Sequence, residues 1–117
     1  MTMLVDYYSL PSGRQPAKDY VKALDGKLKS KTMRSIELLR MKGHLIGEPE
    51  SKHLEDGIFK LRTTMGNNTS RILFFFCIGD KVVLTHGFVK KTQRTPRREI
   101  AKAKGYREDY IARVSKG

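Results

Sequence analysis

The chain has 117 residues, 38% hydrophobic and 31% charged, and its 24 Lys and Arg outnumber 12 Asp and Glu for a formal net charge of +12. A chain of this length supports one domain, spanning residues 1–117, that buries roughly two-thirds of its unfolded surface. A single cysteine excludes an internal disulfide and fits a reducing cytoplasm, three scattered histidines (His44, His53, His86) give no zinc spacing, and no stretch approaches the ~18 apolar residues of a membrane span.

The N-terminus, MTMLVDYYSLPSG, lacks the basic start and long apolar run of a signal peptide. Its residues 3–9 are short, aromatic and β-prone, and Pro11, Ser12 and Gly13 end them. A helix follows, with Pro16 early and Ala17, Tyr20, Val21 and Leu24 at i, i+3, i+4 and i+7. Asp25-Gly26 breaks it. A second helix over about 27–42 sets Leu28, Ile36 and Leu39 near one face and stops at Gly43, so the two form a hairpin with one apolar side.

HLIGEPESK, with Gly47 and Pro49, reads as a loop. The next segment alternates, Phe59, Leu61, Thr63 and Met65 against Ile58, Lys60, Arg62 and Thr64, which predicts a strand with two faces. Gly66-Asn67-Asn68-Thr69 supplies a hairpin loop. The seven consecutive apolar residues Ile72 to Ile78 predict a central strand covered on both faces, and Cys77 within them reads as a buried, inert thiol. Gly79-Asp80 turns the chain into a strand over 81–89. After a basic linker, Thr95 caps a terminal helix with Pro96 at its first position. Ile100, Ala103, Tyr106, Tyr110 and Val114 form its apolar stripe, and Gly105 marks a break or bend. The order β–α–α–β–β–β–α is an α+β fold, an antiparallel meander with a helical hairpin on one face.

The charge is uneven. Residues 27–43 carry a surplus of five cations and residues 90–117 a surplus of seven, which together account for the whole net charge. Two basic surfaces on one small domain point to a polyanion, either nucleic acid or a strongly acidic protein. Strand alternation places Lys60 and Arg62 on one face about 7 Å apart, Arg71 begins the neighbouring strand, and Lys90 and Lys91 emerge after the last one. Arginine offers forked donors to phosphate, and lysine a compact charge whose pKa moves easily. Such a cluster suits metal-free RNA cleavage, in which a 2′-hydroxyl attacks the adjacent phosphate and fixed cations hold the developing charge, each worth about 3–4 kcal/mol. Free lysine, with a pKa of about 10.4, is a poor base at pH 7, but crowding by Arg62 and Arg71 depresses Lys60 in the required direction.

The same residues have structural readings. Lys60 and Arg62 fit the solvated side of a half-buried strand, Arg71 fits a pair with Glu55 or Asp56, and Lys90, Lys91 and Arg94 fit a solvated linker. His86 fits a satisfied core or edge position as well as proton transfer, with His53 a lesser candidate of the same kind. Tyr106 and Tyr110 fit helix packing as well as base stacking. Ser70, Thr63 and Thr64 have no triad pattern around them.

Three motifs carry a resemblance: GIFKLR, SRILFFF and HGFVKKTQRTPRREIAKA, together covering about residues 57–103. In these the chain resembles the HigB-like, often phage-associated branch of the RelE/ParE toxin superfamily. The resemblance implies a RelE-like fold: an N-terminal strand and helical hairpin packed on an antiparallel β-meander, with a C-terminal helix. It further implies a type II toxin, encoded beside an antitoxin, that cuts mRNA in the ribosomal decoding site without a cofactor. Arg62 and Arg71 match phosphate-binding positions, Lys60 a proposed base, and Lys90-Lys91 the place of another catalytic or RNA-contacting group. The last strand continues as FVKKTQ, without the tyrosine some relatives carry there. The implied partners are the ribosome, mRNA and a HigA-like helix-turn-helix antitoxin, acidic in its docking segment, in a heterotetramer or larger complex. A ParE-like gyrase inhibitor and a non-catalytic basic RNA- or DNA-binding module are the competing functions.

Overall fold

A computed structural model describes residues 2–88 and 94–116. Strand β1 (Leu4–Tyr7) leads into helices α1 (Pro16–Lys22) and α2 (Gly26–Lys42), a single 3-10 turn (Gly43–Leu45), strands β2 (Ser51–Glu55), β3 (Ile58–Met65), β4 (Asn68–Cys77) and β5 (Lys81–Phe88), and helix α3 (Arg97–Lys116). The strands form one sheet in the order β1-β5-β4-β3-β2. β2 to β5 are an antiparallel meander, and β1 pairs parallel with β5. The fold is therefore α+β, as the order of elements implied.

The apolar run in β4 has layers on both sides of it. Ile72 and Phe74 face a core shared with Ala17, Val21, Ile36 and Leu39 of the helical hairpin. Leu73 and Phe75 face a second core with Tyr8, Ile58, Val83, Ala103 and Tyr110, closed by α3. Strand period two thus sends alternate residues into two different cores. The run ends sooner than its composition implies: Cys77 is half-buried, and Ile78 is 82% exposed in the turn.

Four local expectations change. Residues 51 and 52, expected in a loop, belong to β2. It is joined to β3 through Asp56 (φ 49°) and Gly57 (φ 78°), with Glu55 paired to Ile58. Positive φ at both central residues is what a two-residue hairpin needs. Thr95 does not cap α3. Its Oγ1 has no hydrogen-bond partner, while the Pro96 carbonyl accepts from the Glu99 and Ile100 amides. Gly105 neither breaks nor bounds the helix, which runs through it. The loop at Gly66 is tighter than expected too, since Met65 pairs directly with Asn68.

β5 carries a bulge opposite Leu73 and Phe74. Thr85 occupies it fully buried, and its hydroxyl donates to the Leu73 carbonyl at 3.0 Å, restoring a bond to the interrupted ladder. Two residues on, Gly87 admits the Tyr20 ring: a Cβ there would lie 2.1 Å from it. Tyr20 thereby seats α1 on the sheet, its hydroxyl accepting from the Arg71 amide at 3.3 Å.

Candidate functional site

The tight turn at Gly66 sets the β3–β4 register, and that register places Arg62 directly opposite Arg71. Opposed residues of an antiparallel pair share a face, so Lys60, two residues before Arg62, lies on that face as well. The sheet therefore brings together three of the residues singled out from the sequence. β2 adds a fourth, Lys52, which stands directly opposite Lys60. Like charges directly opposed across a ladder destabilise a sheet, and here two such pairs, Lys52/Lys60 and Arg62/Arg71, sit side by side.

Carboxylates do not relieve them. Glu55 is held by Arg97 at 3.0 Å and by Lys104, and Asp56 by Lys104 at 2.7 Å. Glu37 pairs with Arg40, and Asp109 with Arg113. Among the described residues, Lys52, Lys60, Arg62 and Arg71 make no ion pair. Arg71 is the extreme case. It is 9% exposed and its Nε has no hydrogen-bond partner. Burial, and then the Arg62 guanidinium, hold its pKa below the ordinary arginine value. Pairing of Arg71 with Glu55 or Asp56 is excluded, because both acids are engaged at α3.

Lys60 is half-buried and its pKa is lowered, first by burial, then by Arg71, Lys52 and Arg62, with Glu48 opposing weakly. On its β2 side Lys60 lines a cleft of about 390 Å³ with Lys52, Glu55, Thr95 and Arg97. On the other side Arg62 is exposed and shares a smaller cleft of about 250 Å³ with Lys31 and Ser35 of α2.

His86 sits differently. It is 4% exposed, with Nδ1 3.1 Å from Thr85 Oγ1 and Nε2 3.0 Å from Glu99 Oε1. Burial lowers its pKa, against the raising effect of Glu99. Both ring nitrogens are thus occupied inside the protein, between β5 and α3. Lys90 and Lys91 lie outside the described residues. His53 is exposed and accepts a bond from the Gly57 amide at 3.1 Å. Tyr106 stacks on Tyr8 with centroids 4.4 Å apart, and the buried Tyr110 donates its hydroxyl to Asp6 at 2.8 Å, so both pack α3 down onto the domain.

Lys52 is not among the residues expected from the sequence, because nothing in its apolar pattern marks β2 as a strand. Asp56-Gly57, a dipeptide favoured in two-residue hairpins, signals the turn that sets Glu55 against Ile58, but only the register shift between His53 and Glu55 then brings Lys52 opposite Lys60, and that shift has no signal in the sequence.

Among the described residues no cluster of His, Cys, Asp and Glu could hold a metal ion, and no helix is long and apolar enough to cross a membrane. No curated protein matches the chain. The family model described as Phage derived protein Gp49-like (DUF891) matches residues 19–108, from α1 through most of α3 and including the whole cationic face. The chain belongs to this phage-derived Gp49-like family, a family of RelE-like type II toxins.

Proposed function

We propose that this protein is the toxin of a type II toxin–antitoxin pair of the HigB-like kind and acts as a ribosome-dependent, metal-independent mRNA endoribonuclease. The observation that carries the reading is Arg71, buried opposite a second arginine with no acid to neutralise either. A phosphodiester supplies the missing anion, and its two unbridged oxygens match the forked donors of the guanidinium groups.

In the proposed reaction the 2′-hydroxyl attacks the adjacent phosphorus. The 2′-O–P bond forms as the P–O5′ bond breaks, leaving a 2′,3′-cyclic phosphate and a 5′-hydroxyl. Neutral Lys60, whose pKa is depressed by burial and its three cationic neighbours, takes the 2′-hydroxyl proton. Arg62 and Arg71 hold the charge that develops on the phosphorane oxygens. Lys90 and Lys91, which follow β5, are assigned to the RNA and to protonation of the departing 5′-oxygen. His86 is left outside the chemistry, since a substrate would have to displace Glu99 or Thr85 to reach it. The cations of α2 and α3 are assigned to the ribosome and to an acidic docking segment of a helix-turn-helix antitoxin, on the strength of the net charge of +12.

The test is induction of Arg62→Ala and Arg71→Ala variants in growing cells. Each is expected to abolish growth arrest and to slow cleavage of ribosome-bound mRNA about 10²- to 10³-fold, with an unchanged circular dichroism spectrum. Full toxicity of both variants would overturn this site. Arrest with DNA damage and intact mRNA would point to gyrase instead.

A further inference from the structure

The cleft between β2 and the start of α3 contains more than the proposed reaction uses. Lys52 and Lys60 project into it from opposed positions of neighbouring strands. The carboxylate that lines it, Glu55, is already bound by Arg97 and Lys104 and repels an incoming anion little. Thr95, on the same wall, is 6% exposed, and its Oγ1 has no hydrogen-bond partner. A buried hydroxyl left unbonded is unfavourable to the fold, and here it lies beside two unpaired lysines where the N-terminal end of a 20-residue helix favours negative charge. Lys60 is two residues from Arg62, about 7 Å along the strand, a distance of the same order as that between successive phosphates of a single strand.

From this geometry we infer a second phosphate subsite, in which Lys52 and Thr95 hold the phosphate next to the scissile one on the same RNA strand. The inference rests on the endoribonuclease reading and adds to it a direction: the substrate runs from the Arg62/Arg71 pair, past Lys60, into the β2–α3 cleft. Lys52 then acts in binding the strand, while Arg62 and Arg71 act on the reacting phosphate.

Single-turnover cleavage of mRNA on programmed ribosomes tests this, with toxin concentration varied to separate the half-saturating concentration from the plateau rate. The mRNA is used with all its phosphates, or with one neutral methylphosphonate immediately 5′ or 3′ of the cut. Lys52→Ala is expected to raise the half-saturating concentration about tenfold while the plateau rate at saturating pH stays near that of the parent. One of the two neutral linkages is expected to do the same to the parent protein and to add nothing to Lys52→Ala. Thr95→Val is expected to weaken binding in the same direction and yet raise the melting temperature, a combination that a purely structural threonine does not give. If Lys52→Ala binds as the parent does, or if its effect multiplies with that of both neutral linkages, the subsite is wrong while cleavage by the parent leaves the nuclease reading standing. If the parent cuts no mRNA, both fall.

Discussion

Burial strips a guanidinium of part of its hydration, and Arg71, 9% exposed over the whole residue, has no carboxylate to offset the loss. Its nearest charge on the facing strand is Arg62, which makes matters worse. Arg71→Met keeps the volume and removes the charge. The expected result is a melting temperature higher by about 4 °C, corresponding to about 1 kcal/mol, together with loss of cleavage; a lower melting temperature would mean that Arg71 serves the fold. Lys60 makes a pH-dependent counterpart. Burial, Arg71, Lys52 and Arg62 all disfavour its charged form, and Glu48 opposes them. Cleavage that uses neutral Lys60 as base rises with pH and levels off above its pKa. Replacing Lys52 by Met removes one of the positive neighbours, raises that pKa, and moves the rise to higher pH, whereas Lys60→Arg leaves a flat, low rate. An unshifted profile in the Lys52 variant, read at saturating toxin, would remove Lys60 from the role of base.

At the level of elements, the docking of α1 depends on an absent side chain. Tyr20 lies where a Cβ on Gly87 would be, so Gly87→Ala forces the ring and its helix away from β5. Overpacking of that kind costs about 1–3 kcal/mol, to be read as a lower urea midpoint; an unchanged midpoint would show that α1 is not seated by this contact. Most elements were legible in the sequence because their apolar period matched their geometry. The helical hairpin, the alternating β3, the continuous β4 and the stripe on α3 bury most of the residues that period assigned to them; the exceptions include Ile78, 82% exposed where the β4 run ends, and Val114, 41% exposed at the far end of α3. β2 was not legible, since Leu54 is its only large apolar residue and its pairing is dictated by the exposed edge of β3. The shared face of Lys60 and Arg62 followed from alternation alone. The opposition of Arg62 and Arg71 did not, because it depends on a two-residue turn where four residues looked equally able to form a loop. Thr95 misled for a related reason: its sequence neighbourhood fits an N-cap, but the helix starts after Pro96 and leaves the hydroxyl unbonded.

Across the whole molecule, the two cores on either side of the sheet fix the strands that carry Lys52, Lys60, Arg62 and Arg71, so the cations are held together by burial elsewhere and not by mutual attraction. The neighbouring acids are engaged along α3, through Glu55, Asp56 and Asp109, and these pairs tie that helix to the rest of the domain or brace its own last turns. Excess positive charge is left for other molecules, and a ribosome-bound message is the partner proposed for it. The most direct measurement is mapping of RNA 5′ ends within minutes of induction, with translation running and with translation blocked, for the parent and for Arg71→Ala. The expected result is new 5′-hydroxyl ends inside translated messages that vanish when translation is blocked and never form with Arg71→Ala. Growth arrest without such ends, or the same ends from the Arg71 variant, would contradict the assignment of this face as a ribosome-dependent nuclease site.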